Sequence, residues 1–173
     1  MSVIKKYILN DLQLLDRMYT NAKGPESVPL QIFYSKIAVI ELCGWFEESL
    51  DIIANRSVKG AIESKLARKE RKQAVSNNYG FDYENNFAKM MFRLVGVKAF
   101  SSLESHLVST GHLQQLESLM TTLKSERNSA AHTHISGVTR SFVSPSVSIQ
   151  RLNQLYPILR SLYTWSCKYC PAR

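Results

Sequence analysis

The chain lacks any apolar run approaching the ~18 to 20 residues that a membrane-spanning helix needs, so a soluble protein without membrane contact is expected from its 173 residues. Its N-terminus, MSVIKKYILNDLQLLDRMY, interleaves charged and apolar residues and contains no unbroken apolar stretch of the signal-peptide kind. A cytoplasmic location is the expectation. Cysteine is scarce: Cys43, Cys167 and Cys170 are too few and too unevenly placed for a disulfide framework, and reduced thiols are expected. The CKYC pair has metal or redox spacing, but no further ligands accompany it and no strand precedes it, so it reads as incidental to the end of a C-terminal helix. Also missing are a glycine-rich phosphate loop and a ligand set for a catalytic metal, and no metal or cofactor is expected. Acidic residues are in deficit, 14 against 22 lysines and arginines, giving a formal charge of +8. Such an imbalance favours a polyanionic partner, nucleic acid above all.

Strand signals are nearly absent too, with little two-residue alternation and no Asn-Gly or Asp-Gly hairpin turn. Helical periodicity fills the chain instead. The expected fold is an all-α bundle forming a single domain over residues 1–173, a length that supports one core. A first helix over about Val3 to Tyr19 carries Ile4, Ile8, Leu12 and Leu15 at helical spacing and stops at NAKGPESVP, where Gly24, Pro25 and Pro29 break it. The segment from about Leu30 to Ala54 is apolar around most of its middle, which marks a central helix surrounded by others. A polar, basic helix follows. The stretch SNNYGFDYENN interrupts the pattern before FAKMMFRLVG resumes it, and helices near Ser101 to Ser109 and Leu113 to Lys124 come next. In the last of these Leu113, Leu116, Leu119, Met120 and Leu123 mark one face. A long final helix starts with Ser144 as cap and Pro145 in its first turn and extends to about Tyr169. Pro157 inside it predicts a kink or a register change, because its ring displaces the carbonyl four residues back.

The positive charge is concentrated between Arg56 and Lys72, where Arg56, Lys59, Lys65, Arg68, Lys69, Arg71 and Lys72 face only Glu63 and Glu70. Each of these side chains alone would be an ordinary solvated cation. Together Lys65, Arg68, Lys69, Arg71 and Lys72 form a candidate RNA-facing strip.

SERNSAAHTH, residues 125–134, holds an arginine and two histidines, so that Arg127 stands in Arg-x4-His spacing with His132 and in Arg-x6-His spacing with His134. The two-residue spacing occurs often by chance. Around it, however, lie an apolar second helix containing FEESL, the helix MMFRLVG, a glycine turn before LQQLESLMTTLKSERNSAAH, and a loop leading through SPS into a long last helix. In motif and element order the chain resembles the HEPN superfamily, all-helical domains of prokaryotic toxins and antiviral systems, many of them metal-independent ribonucleases. The order is similar to HEPN members that accompany RNA-ligase-like or restriction and defence genes. The resemblance implies a ribonuclease in which Arg127 and His132 are catalytic, Asn128 assists, and His134 is a second ligand or an alternative base. It also implies a homodimer with paired motifs lining one cleft, and an antitoxin or defence-system partner. In HEPN toxins neutralised by a nucleotidyltransferase, a tyrosine usually stands two residues after the histidine; here that position is His134, so modification of that kind is not expected.

The residue types suit the chemistry. A metal-free ribonuclease needs a base for the ribose 2′-hydroxyl proton, a fixed cation for the phosphate, and an acid for the leaving oxygen. Histidine titrates near pH ~6.5 and can serve either side of the proton transfer, whereas arginine stays charged and presents a planar fork. Spacing complicates the picture, since residues five apart on a helix diverge by about 140° and would not share a face, while Asn128 and His132, four apart, would. Either the helix breaks near Ser125 or a second copy completes the site. Glu47 in WFEESL is a supporting candidate, because a carboxylate on a largely apolar helix usually has a partner and Arg127 is one choice; Glu41 and Glu48 compete for that role. His106 and His112 match nothing in the motif and read as structural. The competing functions are a binding module that holds RNA or a protein without turnover, and a structural subunit of a defence complex.

Overall fold

In a computed structural model the chain is all-α, and residues 2–59, 64–132 and 142–169 are the ones described. Among them are six α-helices and no strand: α1 (Lys6–Asn21), α2 (Val28–Ser57), α3 (Lys65–Ser76), α4 (Lys89–Ser109), α5 (Leu113–His132) and α6 (Pro145–Tyr169). His134 and Cys170 lie outside the described residues.

α2 is the axis of the bundle, packed chiefly against α6, α1 and α5. Its buried side includes Leu42, Phe46, Leu50 and Ile53, which meet Leu12 of α1, Leu116 and Leu123 of α5, and Leu152, Leu155 and Leu159 of α6 in one core. Each fully buried aliphatic or aromatic side chain contributes about 1.5 to 3 kcal/mol relative to exposure. The helix is not enclosed all round, as its apolar composition had suggested. Leu30, Phe33 and Ile40 remain more than 40% exposed, because α1, α5 and α6 cover only the other sides.

Two ends are set by local chemistry. The Ser64 hydroxyl caps α3 by accepting from the amide of Ala67 at 3.2 Å, satisfying one of the orphan donors of the first turn. α6 opens at Pro145, where the missing amide is no loss, and passes through the exposed Pro157 without ending. α4 joins the two segments expected on either side of Gly96. That residue has φ +78° and ψ 170°, outside the helical region and accessible mainly to glycine, so the helix bends there.

The most consequential departure from expectation is α5. It does not end at Lys124, nor break near Ser125, but runs unbroken to His132. SERNSAAH contains no proline or glycine, its two alanines favour helix, and Ala130 is buried at the end of the row begun by Leu116, Met120 and Leu123. Two ion pairs hold this part of the helix in place. Arg151 of α6 forks onto Glu126, with Nη1 donating to Oε2 and Nη2 to Oε1 at 2.7 Å, and both side chains are largely buried. Lys124 donates to Asp82 at 2.9 Å. The Asp82 carboxyl is held below its ordinary pKa, first by the backbone amide of Asn85 and then by Lys124.

Candidate functional site

Arg127 projects from α5 into a small cavity of about 130 Å³ whose other walls are Glu47, Leu50 and Asp51 of α2 and the segment Asn78, Tyr79 and Gly80. α5 lies alongside α2 here, with the Cys43 thiol directed at the Leu123 carbonyl, so that Arg127 reaches the turn after Cys43. Arg127 and Glu47 therefore share one cavity, yet no hydrogen bond or ion pair joins them among the described residues. Glu47 Oε1 is buried without a hydrogen-bond partner. A buried carboxylate oxygen in that condition is costly, and a donor brought into the cavity would relieve it. Glu41 and Glu48, the competing carboxylates, are exposed.

Asp51, one turn beyond Glu47, joins this cavity to a second. A wider groove of about 520 Å³ is lined by Asp51 and Asn55 of α2 and by Arg68, Arg71, Lys72, Val75 and Ser76 of α3. Of the five basic residues expected to face RNA, Arg68, Arg71 and Lys72 thus line a groove next to the motif arginine, and Lys65 and Lys69 lie exposed on the same helix outside it. The Asp51 carboxyl is pushed up to about 6 by burial, with Glu47 and Glu48 adding to the effect. At pH ~7 a carboxyl of that pKa is still mostly ionised, and it gains a proton on mild acidification, where an ordinary aspartate does not.

His132 and Asn128 are exposed on α5. Because the helix is continuous, His132 points about 140° away from Arg127, and neither His132 nor Asn128 lines the cavity. One chain thus brings together Arg127, Glu47, Asp51 and the basic face of α3, and leaves the histidine apart. Asn128 and His132 share a face of the helix, one turn apart. Of the other titrating groups nearby, Cys43 is pushed up to about 12 by burial and by Glu47, which makes its thiol unreactive at neutral pH. His106 bonds to the Ser161 hydroxyl at 2.8 Å between α4 and α6, and the buried Nδ1 of His112 has no partner. Among the described residues no group of three His, Cys, Asp or Glu side chains is placed to hold a metal ion.

Asp51, Asn55, Asn78 and Tyr79 are site residues that the motif does not reveal. Asp51 and Asn55 continue, at four-residue steps, the helix row of Glu47, and that periodicity was the available signal. Tyr79 is one of three aromatics in SNNYGFDYENN, and nothing in the sequence separates it from Phe81 and Tyr83, which are buried.

Chemically the combined surface is polarised. Arg127, Arg68, Arg71 and Lys72 offer donors and positive charge suited to phosphate oxygens, whereas Glu47 and Asp51 offer acceptors suited to ribose hydroxyls or base N–H groups. No protein-family model, curated protein or solved structure matches the chain. Among the described residues no helix is long and apolar enough to cross a membrane.

Proposed function

We propose that the protein is an endoribonuclease of the HEPN kind, active without a metal, cleaving RNA by attack of a ribose 2′-hydroxyl on the adjacent phosphate and leaving a 2′,3′-cyclic phosphate. The observation that carries this reading is the meeting of Arg127, from the Arg-x4-His motif, with the basic groove of α3 across the shared wall of Asp51. Arg127 holds the phosphate as charge builds on it, and the α3 cations hold the flanking strand. His132 moves the proton, with His134 as the alternative and Asn128 as its neighbour on the helix face. Since Arg127 and His132 diverge on one unbroken helix, the catalytic set is completed by a second copy, whose His132 enters from across a two-fold axis. The setting is a cytoplasmic toxin or antiviral system with an antitoxin or defence partner.

The test is incubation of purified protein with RNA in chelator, alongside Arg127→Ala and His132→Ala. Loss of cleavage in both variants, with the fold and dimer retained, supports the reading; cleavage equal to the parent in both sinks it. A second reading is favoured by the same divergence of Arg127 and His132: a helical module that holds RNA or a partner protein in its basic groove without turnover. Sedimentation separates the two, because a monomer that binds RNA and does not cleave it is the module.

A further inference from the structure

The form of RNA that suits this site is indicated by Tyr79, and the inference rests on the RNA reading above. Tyr79 is 84% exposed at the mouth of the cavity that holds Arg127. An aromatic ring left in water forfeits most of its burial energy, and on a loose turn it would mean little. This turn is not loose. Asn86 ties it from both sides: its Nδ2 donates to the Tyr79 carbonyl at 2.9 Å and its Oδ1 accepts from the Asp82 amide at 3.1 Å. Between them Gly80 adopts φ +102°, and a Cβ there would stand 3.4 Å from Asn86 Oδ1. Two residues after the exposed ring, Phe81 is buried edge-on to Phe46 with centroids 5.2 Å apart, which anchors the turn to the core. The backbone that carries Tyr79 is therefore held at the cavity's edge by a built turn, with the exposed Arg127 and the buried, unpartnered Glu47 Oε1 lining the same cavity.

A flat ring that shares a cavity with an arginine matches an unpaired nucleotide, whose base stacks on the aromatic face while its phosphate meets the guanidinium. A duplex offers no such fit, since its bases are already stacked inside and A-form RNA presents ribose and phosphate to a protein. We propose that Tyr79 is the stacking platform for an unpaired base, and that the site takes single-stranded RNA, with the adjoining phosphate at Arg127 and the strand continuing past Asp51 along the α3 groove.

The test is fluorescence anisotropy with a non-cleavable 2′-O-methyl RNA of eight nucleotides, free and annealed to its complement. Tyr79→Ala should weaken single-strand binding by about 5- to 100-fold, Tyr79→Phe should bind within about twofold of the parent, and the duplex should be affected by less than about twofold. The salt dependence should keep its slope, because no cation is removed. Circular dichroism and thermal melting of the exposed-site variant check that it folds. If the parent binds single strands and Tyr79→Ala binds them equally well, or weakens single strand and duplex alike, the stacking role is overturned and the RNA reading stands. If the parent binds neither form, the RNA reading falls and the inference falls with it.

Discussion

α3 and α5 each wall one of two cavities that share Asp51, and they are built in opposite ways. α3 buries only Ala74, carries five cations against one acidic residue, and lies open to solvent over most of its length. α5 buries Leu116, Met120, Leu123 and Ala130 and is pinned near Arg127 by two ion pairs. The first is a surface whose charge matters and whose exact side-chain positions do not, since exposed cations act over about a Debye length of ~8 to 10 Å. The second is a fixed mount, on which a single guanidinium is placed against α2. On the proposed reading, binding strength and chemical geometry fall to different helices, and substitutions should separate them.

The largest effect is expected at the mount. Arg127→Ala and His132→Ala should lower RNA cleavage at saturating substrate by about 10²- to 10⁴-fold, the range for losing one charge-stabilising or proton-transferring group. Arg68→Ala under the same conditions should leave the rate within a few-fold of the parent. An equal loss from Arg68→Ala would break the division of labour.

Stability should divide in the same way. Leu123→Ala, in the buried row of α5, should cost about 2 to 5 kcal/mol in urea denaturation, whereas the same change at Leu66, 69% exposed on α3, should stay within about 0.5 kcal/mol. A large loss at Leu66 would mean that α3 is packed against something more than its own bundle.

Removing charge from the surface should act on binding alone. The combined change of Arg68, Arg71 and Lys72 to alanine should weaken RNA binding at similar ratios for unrelated sequences, and should flatten the plot of log affinity against log salt by up to about 3. An unchanged slope would take the groove out of the RNA path.

The smallest effect concerns Asp51, which stands between the two regions. Its folded pKa of about 6 lies above the ordinary 3.8. Below pH ~4 both folded and unfolded forms are protonated and no penalty exists; as pH rises toward 6 the unfolded chain ionises first, and folding stability falls until the folded carboxyl also ionises. Asp51→Asn should therefore stabilise the protein at pH ~7 by about 1 kcal/mol, a value reduced for partial solvent screening, and the gain should vanish below pH ~4. Thermal melts at the two pH values decide it. No gain at neutral pH would show that Asp51 is already paired or well solvated.

Legibility in the sequence followed the same divide. The cations of α3 were readable because charge density is a property of composition and needs no tertiary knowledge. The core row of α5 was readable from its leucine spacing, but its C-terminal turns were not. Serine and asparagine in SERNSAAH weaken helix propensity locally, and the Glu126 fork to Arg151 and the burial of Ala130 outweigh that weakness only once α6 is in place. Glu47 was found as a carboxylate on an apolar helix. Asp51, four residues on, was passed over because no spacing rule says which of several carboxylates will meet a neighbouring helix.

What the sequence determined by itself was the helical class, the single core, the positive face and the Arg-x4-His spacing, since periodicity, charge and residue order are all local properties. Tertiary structure alone decided that α5 continues to His132 and so separates Arg127 from the histidine, and that Arg127 shares a cavity with Glu47, Asp51 and Tyr79. Those outcomes depend on contacts between residues some 25 to 80 positions apart, which only the packing of α2, α5, α6 and the turn before α4 brings together.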